Sequence, residues 1–176
     1  MRNKSKGPKE YLFVDGYNII NSWDILKDLS LEQLEEARDK LIEIMAEYQH
    51  YSGINIIIVF DAHLVKGNSG TEEDHMGLKV IYTKESETAD HYIEKSLHEI
   101  GRVKRVRVAT SDWMEQQIIL GRGGTRISAR ELEMEVFSQK KLIRSKRVTE
   151  NQKNNFMLGQ LDEETIMKLN NWNNKD

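Results

Sequence analysis

The chain reads as an α/β protein, a three-layer α/β/α sandwich around a mainly parallel central sheet. Two observations predict it. Short apolar runs at 11–14, 54–60, 78–82 and 103–109 alternate with segments whose apolar residues recur at helical spacing. That order is the one that parallel βαβ units with right-handed crossovers produce. Aspartates also stand where the chain leaves these runs or enters a helix: Asp15, Asp61 and Asp112 after three of them, and Asp90 in the first turn of a helix. In a parallel sheet such positions share the carboxyl edge.

The elements follow in order. Tyr11-Leu12-Phe13-Val14 is a strand, and a short helical stretch carries Ile19, Ile20, Trp23, Ile25 and Leu26. Ser30 and Gln33 make a capping-box pattern for a helix bearing Leu31, Leu34, Ala37, Leu41, Ile44, Met45 and Tyr48. Gly53 is placed to stop that helix before strand 54–60. Residues 61–77, with three glycines and several acids, are expected to be a loop. Strand 78–82 precedes a helix over 87–100 with Ala89, Ile93, Leu97 and Ile100 on one face. Strand 103–109 alternates imperfectly, as a strand near a sheet edge does. A helix over about 112–120 should end at Gly121, leaving Gly121–Arg126 as a basic loop. Ser128 with Glu131 caps the next helix. From about 138 the pattern weakens, and a last helix over roughly 162–172 has Leu161, Ile166, Leu169 and Trp172 to bury. The expected division is a basic extension at 1–10, a domain at 11–137, and a basic segment with a helix at 138–176.

Bulk composition narrows the function classes. A length of 176 residues, 38% hydrophobic and 31% charged, fits one globular domain with a real core. The chain has no cysteine, which removes disulfides, thiolate nucleophiles and zinc–cysteine sites, and fits a reducing cytoplasm. Residues 1–10 have no apolar segment behind their cations, so neither a signal peptide nor a membrane anchor is expected. Net charge is -3, but it is unevenly spread. Residues 1–100 carry 11 Lys/Arg against 19 Asp/Glu, whereas residues 101–153 carry 13 against 6. Such a split suits a basic face for a polyanion beside an acidic face that stays free or binds metal, although a solvated charged surface has the same composition.

Each aspartate has a purely structural account as a turn residue, a helix cap or a complement to a helix dipole. Four at one edge are another matter, because clustered carboxylates are costly unless cations bind them. Mg²⁺ or Mn²⁺ is the expected cofactor and phosphodiester hydrolysis the expected chemistry. Asn18, Glu87, Thr110 and Ser111 are near enough in sequence to act as outer ligands or to position water. Other chemistries fit less well. The glycines at 121, 123 and 124 follow a helix rather than a strand, so they form no phosphate-cradling fingerprint, and the five histidines show no zinc-ligand pairing. An aspartate-nucleophile phosphatase would want a second carboxylate two residues after Asp15, where Tyr17 stands.

Phe13-Val14-Asp15-Gly16-Tyr17-Asn18, Val59-Phe60-Asp61-Ala62, Glu87-Thr88-Ala89-Asp90 and Ala109-Thr110-Ser111-Asp112, in that order, resemble the NYN domain family. These nucleases are related to the PIN domain, and the likeness runs over about residues 11–145. The chain is most similar to a bacterial branch of small NYN proteins that includes a ribosome-dependent mRNA endonuclease. The resemblance implies a PIN-like fold and metal-dependent endoribonuclease activity on single-stranded mRNA during translation, in the ribosomal A site. It implies catalytic roles for Asp15, Asp90, Asp112 and Asp61, with Asp15, Asp90 and Asp112 on the metal and Ser111 as the hydroxyl residue beside the last acid. Arg122 and Arg126, and Lys140, Lys141, Arg144, Lys146 and Arg147, then fit contacts to mRNA or ribosomal RNA, and Trp113 fits stacking on a base or burial behind its strand. Two rivals remain open: a non-catalytic RNA- or ribosome-binding module of the same fold, and a hydrolase of small phosphate esters. Oligomeric state is not readable from the sequence.

Overall fold

A computed structural model describes residues 10–61, 70–100, 105–111, 119, 121 and 123–159, with 150–159 as backbone alone. A six-stranded sheet forms the middle layer. Its strands are β1 (Tyr11–Asp15), β2 (Asn55–Phe60), β3 (Thr71–His75), β4 (Leu78–Tyr82), β5 (Val106–Ala109) and β6 (Thr125–Ile127), in the order β3-β4-β2-β1-β5-β6. All neighbours pair in parallel except β3, which runs antiparallel to β4. The helices are α1 (Gly16–Ser22), α2 (Asp24–Glu32), α3 (Leu34–Ser52), α4 (Ala89–Ile100) and α5 (Ala129–Gly159).

The apolar strands are buried on both faces, as parallel sheets require. On one face Leu12, Val14, Ile56, Ile58 and Phe60 join Trp23, Leu26, Leu41 and Met45 of the first three helices, together with Leu132 and Val136 of α5. On the other, Phe13, Val59, Val106 and Val108 meet Ala89, Ile93 and Leu97 of α4, with Ile119 beside them. The side-chain period of two within each strand thus separates two apolar layers. Trp23 closes the first layer, its Nε1–H donating to the Ala129 carbonyl at 2.8 Å.

A half-buried polar cluster ties α3, β5 and α5 together. Arg107 grips Glu135 through both terminal nitrogens, at 2.9 and 3.1 Å, and the Tyr48 hydroxyl donates to the same carboxylate. Arg107 Nε lies 2.6 Å from Glu10 Oε1 but off line for a hydrogen bond, so that contact is ionic only. The bond from Arg107 holds the Glu135 carboxyl below its usual range. Burial and the adjacent carboxylate push the Tyr48 phenol up to about 12.

Three local expectations are corrected. Ser30 does not cap α3: it lies inside α2 with its hydroxyl turned back on the Lys27 carbonyl at 2.7 Å, and Gln33 caps α3 without a side-chain bond. The stretch 61–77 is not all loop, because Thr71–His75 pairs with β4 as an edge strand despite its acids. Residues 121–126 are not all loop either, since Thr125 and Arg126 belong to β6. Gly53 does end α3, in the left-handed conformation at φ 71. Ser128 and Glu131 form a complete box: Ser128 N–H donates to Glu131 Oε2 at 2.8 Å, and Glu131 N–H to Ser128 Oγ at 3.2 Å. The helices expected over 112–120 and 162–172 fall on residues outside the described ones, apart from Ile119, which is helical.

The chain divides into two compact units, residues 1–137 and 138–176, and the sheet with both apolar layers belongs to the first. In the second, the helical run to Gly159 exposes Lys141, Arg144, Lys146 and Arg147, with Lys140 half-buried. Among the described residues no helix is long and apolar enough to cross a membrane.

Candidate active site

Asp15 is the last residue of β1 and the N-cap of α1, and its Oδ1 accepts the Asn18 N–H at 3.1 Å. An aspartate suits that position because its carboxylate satisfies a helix N–H that has no partner within the helix. Asp15 stands in register with Val59, two residues before Asp61. The ladder continues past β2, with Thr83 N–H donating to the Phe60 carbonyl at 3.0 Å, and past β5, with Thr110 N–H donating to the Ile127 carbonyl at 3.2 Å. Asp15, Asp61, Thr83 and Thr110 therefore lie along one carboxyl edge.

The edge also holds the topological switch point. From β1 the chain goes to β2 on one side, and from β5 it goes to β6 on the other, which is the junction where open α/β sheets bind their ligands. Asn18 spans it: its Oδ1 accepts the Ser111 N–H at 2.8 Å, across 93 residues of sequence. The amide thereby fixes the segment that leads into Asp112. Gly16 lets the β2 end approach, since a Cβ there would overlap the Phe60 ring and stand 3.0 Å from its Cζ. Phe60 packs edge-on to Tyr17 at 5.1 Å and stacks on Tyr82 at 5.5 Å. Burial and then Glu73 raise the Tyr82 phenol, while Arg38 opposes them.

Asp90 is exposed in the first turn of α4, where Thr88 Oγ1 accepts the His91 N–H at 3.2 Å. It lines a cavity of about 230 Å³ with Thr88, His91, Ile93, Glu94, Leu97 and Ile119. Glu87 instead lines a separate groove with Tyr82, Thr83, Lys84 and Tyr92. Among the described residues no three acidic or histidine side chains gather as a metal-ligand set. Asp15, Asp61 and Asp90 therefore do not form such a set by themselves, and the convergence expected of the four acids includes Asp112. Asp112, Trp113 and Arg122 lie outside the described residues. Arg126 is half-buried in β6, with Nε donating to the Thr110 carbonyl at 3.1 Å, so part of its hydrogen-bonding capacity serves the fold. Sequence reasoning passed over Thr83, although it ends an apolar run as Asp61 does, and Arg38, which donates to the Tyr17 hydroxyl at 3.1 Å.

A mainly parallel sheet with acids at the carboxyl edge of its switch point is the architecture of PIN-like α/β domains. The chain belongs to one family of them, the YacP-like NYN domains, whose model matches residues 12–174. It is 52% identical over 128 residues to the YacP protein of Bacillus subtilis, covering 72% of this chain and 75% of that one. It is also similar to two crystal structures of Rae1 (YacP) from Bacillus subtilis, each 44% identical. One, of a tryptophan-to-leucine mutant, aligns with a TM-score of 0.70 over 80% of this chain and 84% of that one; the other gives 0.68 over 94% and 95%. Membership makes the chain a nuclease-type, RNA-acting protein.

Proposed function

We propose that the chain is a metal-dependent endoribonuclease that cuts single-stranded mRNA on translating ribosomes, at the A site. The observation that carries this reading is the pairing of Asp15 and Asp61 at neighbouring strand ends with the Asn18–Ser111 tie across the switch point, in a YacP-like NYN chain. Carboxylate oxygens are the hard donors that Mg²⁺ or Mn²⁺ takes. Asp15 and Asp61 fit that chemistry, and in this reading Asp90 and Asp112 complete the set. When bound, the cation supplies an acidified water for in-line attack and positive charge against the phosphate. The protein's part is positional. The Asn18 N–H orients the Asp15 carboxylate, the Asn18 amide sets the start of the Asp112 segment, and Thr110 and Ser111 offer hydroxyls beside it.

Lys140, Arg144 and Arg147 recur at spacings of four and three on α5, which puts them on one helix face. In this reading that face, with Lys141 and Lys146 beside it, meets the phosphates of mRNA or ribosomal RNA. Asp15→Asn and Asp90→Asn should each reduce cleavage of a translated reporter mRNA, read by primer extension, by at least roughly 100-fold. Melting temperature and RNA binding should stay near those of the unaltered chain. Full cleavage by both variants would sink the proposal. Wild-type protein that binds RNA but leaves it intact with Mg²⁺ present would favour the binding module instead.

A further inference from the structure

Among the described residues, Arg38 is a half-buried cation without an ionic partner. It is the fifth residue of α3, and α3 leads into the amino end of β2, so its first turns lie at the carboxyl edge of the sheet. Its Nη1 donates to the hydroxyl of Tyr17, two residues after Asp15, at 3.1 Å. The Tyr17 ring packs on Phe60, the residue before Asp61, and Phe60 stacks on Tyr82. The guanidinium is therefore anchored to the same backbone segments that carry both edge aspartates.

Glu35 and Asp39 lie within one turn on the same helix, yet Arg38 makes no ion pair among the described residues. A guanidinium carries five N–H donors in a planar fork that matches two oxygens of a phosphate. One donor goes to the Tyr17 hydroxyl, and Arg38 makes no other hydrogen bond among the described residues. An arginine kept for stability alone gains more from a carboxylate than from a phenol.

We propose that Arg38, set on the Tyr17 hydroxyl, is a phosphate-binding residue that holds the RNA backbone beside the phosphate to be cut. The assignment rests on the nuclease reading for its substrate but is tested apart from it. Full-length protein carrying Asp15→Asn, expected to cut RNA at least roughly 100-fold more slowly, is titrated with a fluorescein-labelled single-stranded RNA oligonucleotide over a salt series. Adding Arg38→Ala should weaken binding about tenfold and make the log Kd–log salt slope shallower by about 0.7, the share of one phosphate on a single strand. Arg38→Lys should keep the slope and lose part of the affinity, because charge survives and the fork does not. Tyr17→Phe should fall between, with the anchor gone and the charge still present.

Thermal melts confirm that each variant is folded, and a purely structural role would leave the salt slope unmoved. An unchanged slope in folded Arg38→Ala protein overturns the proposal, as does absence of RNA binding by the Asp15→Asn protein at low salt. Cleavage by wild-type protein is read separately. RNA left uncut while the slope still depends on Arg38 means that the nuclease reading fails and the phosphate site stands. Cleavage with an unmoved slope means the reverse.

Discussion

Replacing Gly16 by alanine tests how tightly the site is built into the fold. On helix propensity alone the change should stabilise, since Gly is about 1 kcal/mol worse than Ala within a helix. Sterics oppose that gain. The new Cβ would overlap Cδ1 and Cε1 of Phe60 and sit 3.0 Å from Cζ. Phe60 is fully buried and cannot swing aside, because Tyr17 packs 5.1 Å from its ring centre and Tyr82 5.5 Å. Relief must come from moving α1 away from β2, which separates Asp15 from Asp61. Overpacking of this kind costs about 1–3 kcal/mol, and backbone so close to a fixed ring belongs at the upper end. After the propensity gain, about 2 kcal/mol of destabilisation remains, or a fall in Tm of about 4–8 °C at 2–4 °C per kcal/mol.

Two other glycines calibrate the measurement. Gly121 meets nothing within 4 Å among the described residues and has ordinary φ, so Gly121→Ala should stay within about 0.5 kcal/mol of wild type. Gly53 also meets nothing but sits at φ 71, so its alanine variant should lose about 1 kcal/mol to backbone strain alone. Thermal unfolding followed by circular dichroism should rank the variants Gly121→Ala, Gly53→Ala, Gly16→Ala, with Gly16→Ala least stable and cutting RNA more slowly. A Gly16→Ala protein melting at or above Gly53→Ala would refute the reasoning.

Glu135→Gln should lose about 1–2 kcal/mol at pH 7, a figure moderated by the partial exposure of the pair, because Arg107 exchanges a charged bidentate partner for a neutral one. The Glu135 carboxyl is held low in the folded state, so its contribution is present above its unfolded pKa of about 4.3 and is lost as pH falls through the folded value. The Tm gap between wild type and variant should therefore narrow below about pH 4, and a constant gap down to pH 3 would contradict the assignment. Asn18→Ala removes the acceptor of the Ser111 N–H and should slow cleavage by roughly 10-fold or more, with a Tm loss worth only about 1 kcal/mol. Undiminished single-turnover cleavage would show that the tie does not position the site.

What was legible in the sequence was whatever a local pattern records. Leu12-Phe13-Val14 and Ile56-Ile57-Ile58-Val59-Phe60 announce strands covered on both faces, and the capping residues Ser128 and Glu131 are three apart, so one motif contains the whole interaction. Thr71–His75 gave no such signal. It is a strand because β4 offers it a free edge, and its acids face solvent there, with Glu72 pairing to Lys79 across the ladder. Ser30 misled for the opposite reason: the pattern of a box was present, but α2 runs through it and the hydroxyl bonds backward. Polar contacts made over long sequence separation were the least legible. Tyr48 meets Glu135 across 87 residues, and Arg38 meets Tyr17 across 21 without any motif. Asn18 was visible as a candidate, yet that it reaches Ser111 follows only from the adjacency of β1 and β5.

That adjacency explains why acids can be kept on this edge. β1 is flanked by β2 and β5, so three strand ends and one helix N-terminus meet beyond Asp15. Carboxylates brought together there repel one another, and the repulsion is lowered by backbone N–H groups as well as by cations. The α1 N-terminus supplies one such group to Asp15, and the neutral Asn18 amide, rather than a fifth acid, joins the β5 side. The edge therefore has neutral donors of its own that hold Asp15 and the β5 side in place. Chelation by EDTA should accordingly abolish cleavage and leave the Tm of the protein within a few degrees of its value in Mg²⁺. A collapse of the fold on chelation would mean that the carboxylates are held together by the ion and not by the frame.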